Sequence, residues 1–533
     1  MAVYDYVILG AGAAGCVLAN RLSADPNNEV LLVEAGGRDR NPYIHVPMIS
    51  AALFGNDQYS WSYQLEPFGP DNRTEIWPRG KVLGGSTAIN GLVYNRGDRQ
   101  DYDDLVRRGN TGWGWDDMLP VYKSFEDNEF GASPTRGAGG ELPVTTPRDP
   151  DPLVNDLIDA GVKLGLRSVQ DYNEFDDERI GPAMATIRKG VRVTAAKAFL
   201  RPVLNRSNLH LAVNTKARRL ILENGRAVGV EVRSEDNTTE IRARREVIMA
   251  LGALESPKLL QLSGIGPREV LQSAGVPVYL ERDNVGRRML EHFCVINTYQ
   301  LNDDVGYNRL LRNTKAKGVT ALKYLVNRKG PLATPTGDVM AIFKTTPDVP
   351  RVDAQVLVRM MSVGSVRPDA PAGIEDVGGV SCMAEVLRST SEGSVWITSA
   401  DPDAPLSVDA NYLATEYDRK TSIDLLRRMR QWFEQSPIAE KVARETRPGT
   451  EALSDDDILA GITATGATGS HAVATCAMGP DAEDIVDDRC RVRGIDGLRI
   501  VDCASQPTMI SGNLMGPTMA WAGRAAQFIL DGD

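Results

Sequence analysis

The first chemically informative residues are three glycines near the N-terminus. Gly10, Gly12 and Gly15 have the GxGxxG spacing, and the acidic residue Glu34 follows 19 positions after the last of them. In this motif the first glycine permits a tight turn, the second lets a pyrophosphate approach the backbone, and the third lets a helix pack closely on a strand. The carboxylate of Glu34 can accept hydrogen bonds from ribose hydroxyls and would repel a 2′-phosphate. The pattern predicts a bound NAD or FAD and disfavours NADP.

Several other catalytic chemistries lack the residues they need. None of the four histidines lies four positions from another, and the six cysteines are scattered without a CxxC pair, so no metal site is predicted. There is no GxSxG segment for a nucleophilic serine. Gly80 and Lys81 are followed by Val82, where a phosphate-binding P-loop requires serine or threonine. Metalloenzymes, α/β-hydrolases and nucleoside triphosphatases are therefore disfavoured.

Composition indicates a soluble globular protein. The chain has 533 residues, of which 42% are hydrophobic and 25% are charged, and its net charge of −11 disfavours nucleic acid as a partner. No stretch of 18 apolar residues predicts a transmembrane segment, and the N-terminal MAVYDYVILGAG enters a strand without a leader pattern. We expect a cytoplasmic protein. These features leave peripheral membrane contact and the oligomeric state open.

The elements that would position the glycine motif follow from hydrophobic patterning. Residues 4–9 and 29–33 are rich in β-branched and aliphatic side chains and predict strands, and residues 14–22 between them have helical apolar spacing. This order of strand, turn, helix, strand and acid predicts a Rossmann-type α/β unit. Further along the chain, residues 380–386 and 394–398 predict strands and residues 417–434 predict an amphipathic helix.

Two more glycine-containing segments extend the pattern. Residues 80–103 read GKVLGGSTAINGLVYNRGDRQDYD, which predicts backbone lying close to a flat group. Residues 252–266 read GALESPKLLQLSGIG and predict a short helix that ends at Gly264. With VGRRMLEH at 285–292 and LRIVDCASQPTMISGNLMGPTMA at 498–520, these segments resemble the glucose-methanol-choline family of flavoprotein oxidoreductases.

This resemblance implies FAD as the cofactor and an interleaved domain organisation. A Rossmann-type FAD-binding domain would comprise residues 1–150, 191–300 and 456–533. An α+β substrate-binding domain built on an antiparallel sheet would comprise residues 151–190 and 301–455. The resemblance further implies that FAD contacts Gly10, Gly12, Ala13, Ala14, Gly15, Glu34, Ala35, Val82, Leu83, Gly84, Gly85, Ser86, Asn90, Gly91, Leu92, Val93, Ala217, Ala250, Gly252, Asp502, Cys503, Asn513, Met515, Pro517 and Thr518. Some members attach the flavin covalently through a histidine where this chain has Ile89, so we expect non-covalent FAD.

The resemblance also assigns the catalytic roles. His471 matches the family's active-site histidine, and Asn513 matches its second active-site position. A neutral imidazole can take the hydroxyl proton of an alcohol while the α-hydrogen passes as hydride to flavin N5, and an amide N–H can stabilise the developing alkoxide. A helix expected to start at Pro517 would direct its N-terminus at the flavin.

The expected reaction is oxidation of a primary alcohol to the aldehyde, with O2 or a quinone as the electron acceptor. Trp61, Asp338 and Phe343 are candidate walls of the substrate pocket, but there are few aromatic residues around Asp338, so choline is favoured less than other primary alcohols. Two other classes stay open. The protein could be a lyase of the hydroxynitrile-lyase kind that keeps FAD as a structural element, or a non-catalytic FAD-binding protein.

Overall fold

Two β-sheets organise the part of the chain that the computed structural model describes, residues 3–235, 237–364 and 373–533. Seven strands form the first sheet and eight form the second. The α-helices in these residues span Ala13–Leu22, Pro42–His45, Arg99–Arg107, Trp115–Phe125, Leu153–Lys163, Gly252–Leu262, Arg268–Ser273, Asn308–Leu311, Thr314–Asn327, Glu416–Phe433, Asp455–Thr465 and Met515–Asp531. In this described part, no helix is both long and apolar enough to cross a membrane.

The first sheet contains the predicted dinucleotide unit. Its strand Val3–Leu9 lies parallel to Val30–Val33 on one side and to Asn237–Met249 on the other. The end of Val3–Leu9 is fully buried, as expected for a parallel strand that is covered on both faces. The sheet is completed by Leu209–Ala212, Leu498–Ile500, Arg226–Ser234 and Thr215–Glu223.

Close packing of a helix on this sheet depends on one glycine. Helix Ala13–Leu22 follows the glycine turn, and a Cβ atom added at Gly15 would lie only 1.8 Å from the carbonyl oxygen of Gly10. No side chain caps the start of this helix, so the backbone N–H groups of its first turn can donate hydrogen bonds to an anionic ligand. The local arrangement agrees with the role predicted for Gly15 in helix–strand packing.

The second sheet is almost entirely antiparallel. Strand Gly379–Val386 lies between Phe293–Leu301 and Ala354–Arg359 and is antiparallel to both. The other strands are Val442–Arg447, Ala467–Thr468, Val339–Phe343, Arg179–Pro182 and Arg167–Ser168, of which the last two pair in parallel. The amphipathic helix predicted at 417–434 occurs at Glu416–Phe433. The α/β fold with an added antiparallel sheet is therefore confirmed.

The sheet to which one strand belongs bears on the domain boundary that the sequence predicts at residue 300. Strand Phe293–Leu301 belongs to the antiparallel sheet, although the sequence placed residues up to 300 in the cofactor domain. The short strand Ala467–Thr468 also pairs with it. We propose that the boundary expected at 300 lies before residue 293, because a sheet is the natural unit of a hydrophobic core.

The C-terminal helix starts earlier than the sequence predicted. Pro517 was expected at its first position, but the helix begins at Met515 and places Pro517 third. A proline is tolerated there because the N–H groups of the first turn have no partner within the helix. Leu514 precedes the helix without a side-chain cap. In the middle of the helix, Trp521 stacks on Trp113 with ring centroids 3.8 Å apart and fixes the helix in the hydrophobic core around the first sheet.

Candidate active site

A large cavity is lined by residues of both sheets. Its volume is about 1090 Å³, which exceeds the roughly 300–1,000 Å³ typical of small-molecule pockets. Gly10 and Glu34 from the first sheet form one part of the wall, and Leu357, Met383 and Glu385 from the second sheet form another. The cavity therefore has room for a dinucleotide and a second, smaller molecule.

Most of the residues assigned to FAD binding lie in this wall. These are Gly10, Gly12, Ala13, Ala14, Glu34, Ala35, Gly85, Ser86, Asn90, Gly91, Leu92, Val93, Ala217, Ala250, Gly252, Asp502, Cys503, Asn513, Met515 and Thr518. They come from six separate stretches of the chain, and folding brings them to one surface. Their individual contacts with FAD stay predictions.

Five of the assigned residues lie outside this wall. Gly15 and Pro517 lie within helices behind it, and Val82 and Leu83 are buried. The backbone N–H of Gly84 donates to the carbonyl of Ala11 at 2.8 Å, which joins the two glycine loops. These five residues shape the backbone that lines the cavity, and their expected direct contacts with FAD stay a prediction.

The two glycine loops form a surface without side chains. A Cβ atom on Gly85 would lie 2.7 Å from the Cα of Gly12, so the loops approach too closely for any larger residue at 85. A Cβ atom on Gly12 would meet no other atom closer than 4.0 Å. Bare backbone next to the uncapped helix Ala13–Leu22 fits a pyrophosphate, which needs close access to N–H donors.

Glu34 occupies the position expected for ribose recognition. Its carboxylate accepts hydrogen bonds from the backbone N–H groups of Ala11 and Gly36, each at 2.8 Å. Burial raises the pKa of Glu34 to about 7, because removal from water penalises the charged form, although these two bonds favour it. Hydroxyl donors from a ribose would add further bonds to the carboxylate. The residues present therefore fit a dinucleotide.

Asp502 anchors the first sheet to a helix. One carboxylate oxygen accepts from the N–H of Gly252 at 2.8 Å and from the hydroxyl of Ser256 at 2.7 Å, and the other accepts from the N–H of Ala504 at 2.7 Å. These bonds fix the start of Gly252–Leu262 against the cavity. Asp502 thus positions backbone around the site, in addition to lining it.

His471 and Asn513 meet inside the cavity. The Nδ2 atom of Asn513 lies 3.1 Å from Nε2 of His471, although the two residues are 42 positions apart. The backbone N–H of His471 donates to the buried carboxylate of Glu291 at 2.6 Å, which holds the loop after Ala467–Thr468 in place. The structure therefore brings the two residues of the expected catalytic pair together.

Three polar residues that sequence reasoning did not single out surround this pair. Nδ1 of His292 lies 2.9 Å from Nδ1 of His471, and the Glu385 carboxylate lies 3.3 Å from the former and 3.4 Å from the latter. The Nε2 group of Gln355 donates to Glu385 at 2.8 Å and to Oδ1 of Asn513 at 3.2 Å. His292 ends the VGRRMLEH segment, and that segment was the only sequence signal for it.

These contacts define which nitrogen of His471 carries its proton. Nε2 of His292 faces the carbonyl oxygen of Leu387 at 3.1 Å, and a carbonyl only accepts, so this nitrogen bears hydrogen. Oδ1 of Asn513 accepts from Gln355, so the group of Asn513 that faces His471 is the amide N–H. Nε2 of His471 therefore accepts a hydrogen bond through its lone pair, and in the uncharged ring the proton is on Nδ1.

The charge state of His471 is set mainly by burial. Desolvation lowers the pKa of His471 to about 4, with His292 and Arg79 acting in the same direction and Glu385 opposing them. Burial also raises the pKa of Glu291 to about 8, against the attraction of Arg79. At neutral pH His471 is therefore uncharged and can accept a proton.

The same cluster has the donor types of a metal site. Atoms of His292, Glu385 and His471 lie within 4.8 Å of one another. The 2.9 Å between the two Nδ1 atoms is a hydrogen-bond distance, however, and is shorter than the separation of roughly 3.3 Å between two nitrogens bound tetrahedrally at about 2.0–2.1 Å from zinc. The geometry favours a proton-sharing pair over a metal centre, and the expectation of no metal stays a prediction.

Two of the three residues proposed for the substrate pocket do not line the cavity. The Asp338 carboxylate is buried and accepts hydrogen bonds from the Tyr307 hydroxyl at 2.7 Å and from the Met360 N–H at 3.2 Å. Phe343 is buried in the hydrophobic core around the second sheet. In this structure both side chains stabilise the fold, so their assignment to the substrate pocket gains no support here and stays a prediction. Trp61 does line the cavity, and Nζ of Lys81 lies 4.3 Å from its ring centroid. Lys216, which directly precedes the predicted cofactor residue Ala217 in the sequence, also lines the cavity.

Comparison with known families explains this arrangement. Two family models, both described as GMC oxidoreductase, match residues 4–294 and 389–522. The chain belongs to the GMC oxidoreductase family. GMC oxidoreductases bind FAD, so FAD is the cofactor of this oxidoreductase, and its position in the cavity between the glycine loops and His471 stays a prediction.

Relatives in the GMC family match along nearly the whole chain. An oxygen-dependent choline dehydrogenase of Photobacterium profundum is 35% identical, covering 99% of this chain and 93% of the relative. An alcohol dehydrogenase [acceptor] of Pseudomonas putida is 34% identical, covering 99% and 96%. The crystal structure of pyridoxine 4-oxidase from Mesorbium loti superposes with a TM-score of 0.89 at 31% identity, covering 99% of both chains.

Proposed function

We propose that this enzyme oxidises the CH–OH group of an apolar primary alcohol to the aldehyde. Bound FAD supplies the oxidant that takes the hydride from the α-carbon. The observation that carries the proposal is the 3.1 Å contact between Nε2 of His471 and the amide nitrogen of Asn513 in the cavity wall. A base and a hydrogen-bond donor at one point are what removal of a hydroxyl proton requires.

The geometry supports a specific path for that proton. An alcohol hydroxyl that enters between the two residues donates to Nε2 of His471 and accepts from Nδ2 of Asn513, so two hydrogen bonds replace one. After transfer His471 is a cation, and the Glu385 carboxylate 3.4 Å from Nδ1 stabilises its charge. Gln355 holds the amide of Asn513 in the orientation that keeps its N–H toward the substrate.

The remaining wall of the cavity supports an apolar substrate without positive charge. Its side chains from the second sheet and the neighbouring helices are mainly aliphatic or sulfur-containing, namely Leu311, Leu332, Leu357, Met361, Val363 and Met383. Two cationic side chains, Arg359 and Lys317, also line it, whereas the Glu385 carboxylate in this wall already has His292, His471 and Gln355 as partners. The two positive charges would repel the trimethylammonium group of choline, and cationic substrates are favoured by acidic or aromatic surroundings.

An alcohol series tests this substrate class. Anaerobic addition of medium-chain aliphatic primary alcohols is expected to bleach the flavin band, with an observed rate at least about 10-fold above that for choline, since each buried CH2 adds about 0.8 kcal/mol of binding. Stopped-flow absorbance measures the rates, and parallel turnover with O2 and with a quinone analogue identifies the acceptor. A spectrum that stays oxidised with every alcohol would contradict the proposal and favour a lyase or a non-catalytic FAD protein.

The pH dependence tests the protonation state of the base. Because only neutral His471 accepts a proton, kcat/KM for a neutral alcohol should be flat down to about pH 5 and fall through a midpoint near the pKa of about 4. A change near pH 8 would report Glu291. A fall with a midpoint near 6.5, the ordinary value for histidine, would show that His471 is not desolvated in the working enzyme.

A further inference from the structure

Helix Thr314–Asn327 exposes an unusual row of apolar side chains. Val319, Leu322, Leu325 and Val326 are 62%, 62%, 65% and 77% exposed, which are among the highest values for large hydrophobic residues in the described part of the chain. The spacing of 319, 322 and 326 is i, i+3, i+7, so these three side chains share one face of the helix. Burying such a face in an apolar environment would be favourable.

The opposite face attaches this helix to the protein. Thr320 and Tyr324 are its buried residues, and the Thr320 hydroxyl donates to the carbonyl of Leu310 at 2.9 Å. The Tyr324 hydroxyl donates to the carbonyl of Gly190, also at 2.9 Å. The helix is therefore held along one side only, and its apolar row points away from the core.

The charge around this helix differs from that of the whole chain. Residues 305–337 contain seven lysines and arginines and no aspartate or glutamate, whereas the full chain has a net charge of −11. Lys315 and Lys329 are exposed close to the apolar row, and the exposed Lys323 forms an ion pair with Asp149 at 3.3 Å. A basic, amphipathic surface helix on an acidic protein is complementary to a negatively charged apolar boundary.

We propose that this helix docks the enzyme on the surface of a lipid bilayer that contains anionic lipids. The apolar row would enter the boundary between headgroups and acyl chains, and the lysines would contact lipid phosphates. A second copy of the chain fits less well, because two segments with this excess of positive charge would repel each other. The proposal does not depend on the reaction that the enzyme catalyses.

The position of the helix relates the membrane to the cavity. Lys317 and Ala321 from the same helix line the cavity, as do Leu311 before it and Leu332 after it. Docking through the exposed row would place this part of the cavity wall next to the lipid. An apolar molecule dissolved in the bilayer would then reach the enzyme without crossing bulk water.

Vesicle co-sedimentation of the FAD-loaded full-length enzyme tests the proposal. We expect binding to phosphatidylglycerol/phosphatidylcholine vesicles that weakens with salt, and at least about 10-fold weaker binding to pure phosphatidylcholine. The double variant Leu322→Ser/Val326→Ser should bind anionic vesicles at least about 10-fold more weakly. The variant Lys315→Gln/Lys329→Gln should lose about 5-fold for each lysine.

A matched control separates docking from general surface hydrophobicity. Leu453 is 73% exposed on another part of the surface, and Leu453→Ser should bind vesicles like the wild type. Failure of the wild type to bind anionic vesicles would overturn the proposal, and so would an equal loss in Leu453→Ser. If Leu322→Ser/Val326→Ser instead dissociates an oligomer seen by light scattering, the apolar row is an interface between copies and the proposal is wrong. Flavin bleaching by a water-soluble alcohol, measured without vesicles, reports the proposed function separately.

Discussion

Replacing His471 with alanine is expected to slow anaerobic flavin reduction by an alcohol about 100-fold or more, which is the range for loss of a general base. The change removes the lone pair on Nε2 that lies 3.1 Å from the Asn513 amide. No neighbouring group replaces it, because Glu385 and His292 lie on the Nδ1 side of the ring. Stopped-flow measurement at saturating alcohol gives the rate constant for reduction directly.

The control for this variant is a histidine away from the cavity. His210 lies on strand Leu209–Ala212, with its Nε2 2.9 Å from a carboxylate oxygen of Glu29, and is not in the cavity wall. His210→Ala should reduce its flavin at the wild-type rate. Both variants should keep a normal FAD content. Unchanged reduction in His471→Ala with full FAD content would assign the base to another group.

Two alanine substitutions in the glycine motif are expected to impair different properties, one the stability of the fold and the other the affinity for FAD. Gly15→Ala places a Cβ atom 1.8 Å from the Gly10 carbonyl oxygen, so the helix must move off the strand, and we expect a loss of at least about 1–3 kcal/mol in unfolding free energy. Gly12→Ala meets no atom closer than 4.0 Å, so the apoprotein should unfold as the wild type does. The same Cβ atom lies where the pyrophosphate must approach. We expect FAD affinity to fall about 10-fold or more, since a hydrogen bond to a charged group contributes about 1.5–3 kcal/mol.

The measurements are denaturant unfolding of the apoproteins and fluorescence titration with FAD. Titration requires flavin that dissociates, and Ile89 in the cavity wall cannot form a covalent bond to it. Acid precipitation should therefore leave all the yellow colour in the supernatant. Equal destabilisation of both apoproteins, or unaltered FAD affinity in Gly12→Ala, would contradict the distinct roles assigned to the two glycines.

Local features of the fold could be predicted from the sequence. The strand predicted at residues 4–9 occurs at Val3–Leu9, and the helix predicted at 14–22 occurs at Ala13–Leu22. Both depend on patterns within about ten residues of each other, in which propensity, glycine spacing and hydrophobic period agree. Much of the cofactor cavity is formed by backbone, so the glycines that permit it are visible in the sequence.

The network around His471 depends on strand register, which the sequence does not show. Gln355 and Glu385 are direct partners across two antiparallel strands, and Cys294 is the partner of Glu385 on its other side. Nothing within either strand indicates which residues of another strand, tens of positions away, will lie opposite. The surroundings of Asp338 could not be predicted for a related reason. Its carboxylate binds Tyr307, and that contact requires the folded arrangement of three segments.

His471 and Asn513, which form the hydrogen bond in the catalytic site, are held in place by different parts of the fold. His471 follows Ala467–Thr468, which pairs with the antiparallel sheet, whereas Asn513 precedes the C-terminal helix, which is packed in the core of the first sheet. A hydroxyl that binds to both groups needs only a local widening of their 3.1 Å contact. Moving one whole sheet away from the other would instead take the two groups out of reach of the same hydroxyl. Substrate entry and product release must instead use local movement of the loops and short helices that close the cavity while both sheets stay in place.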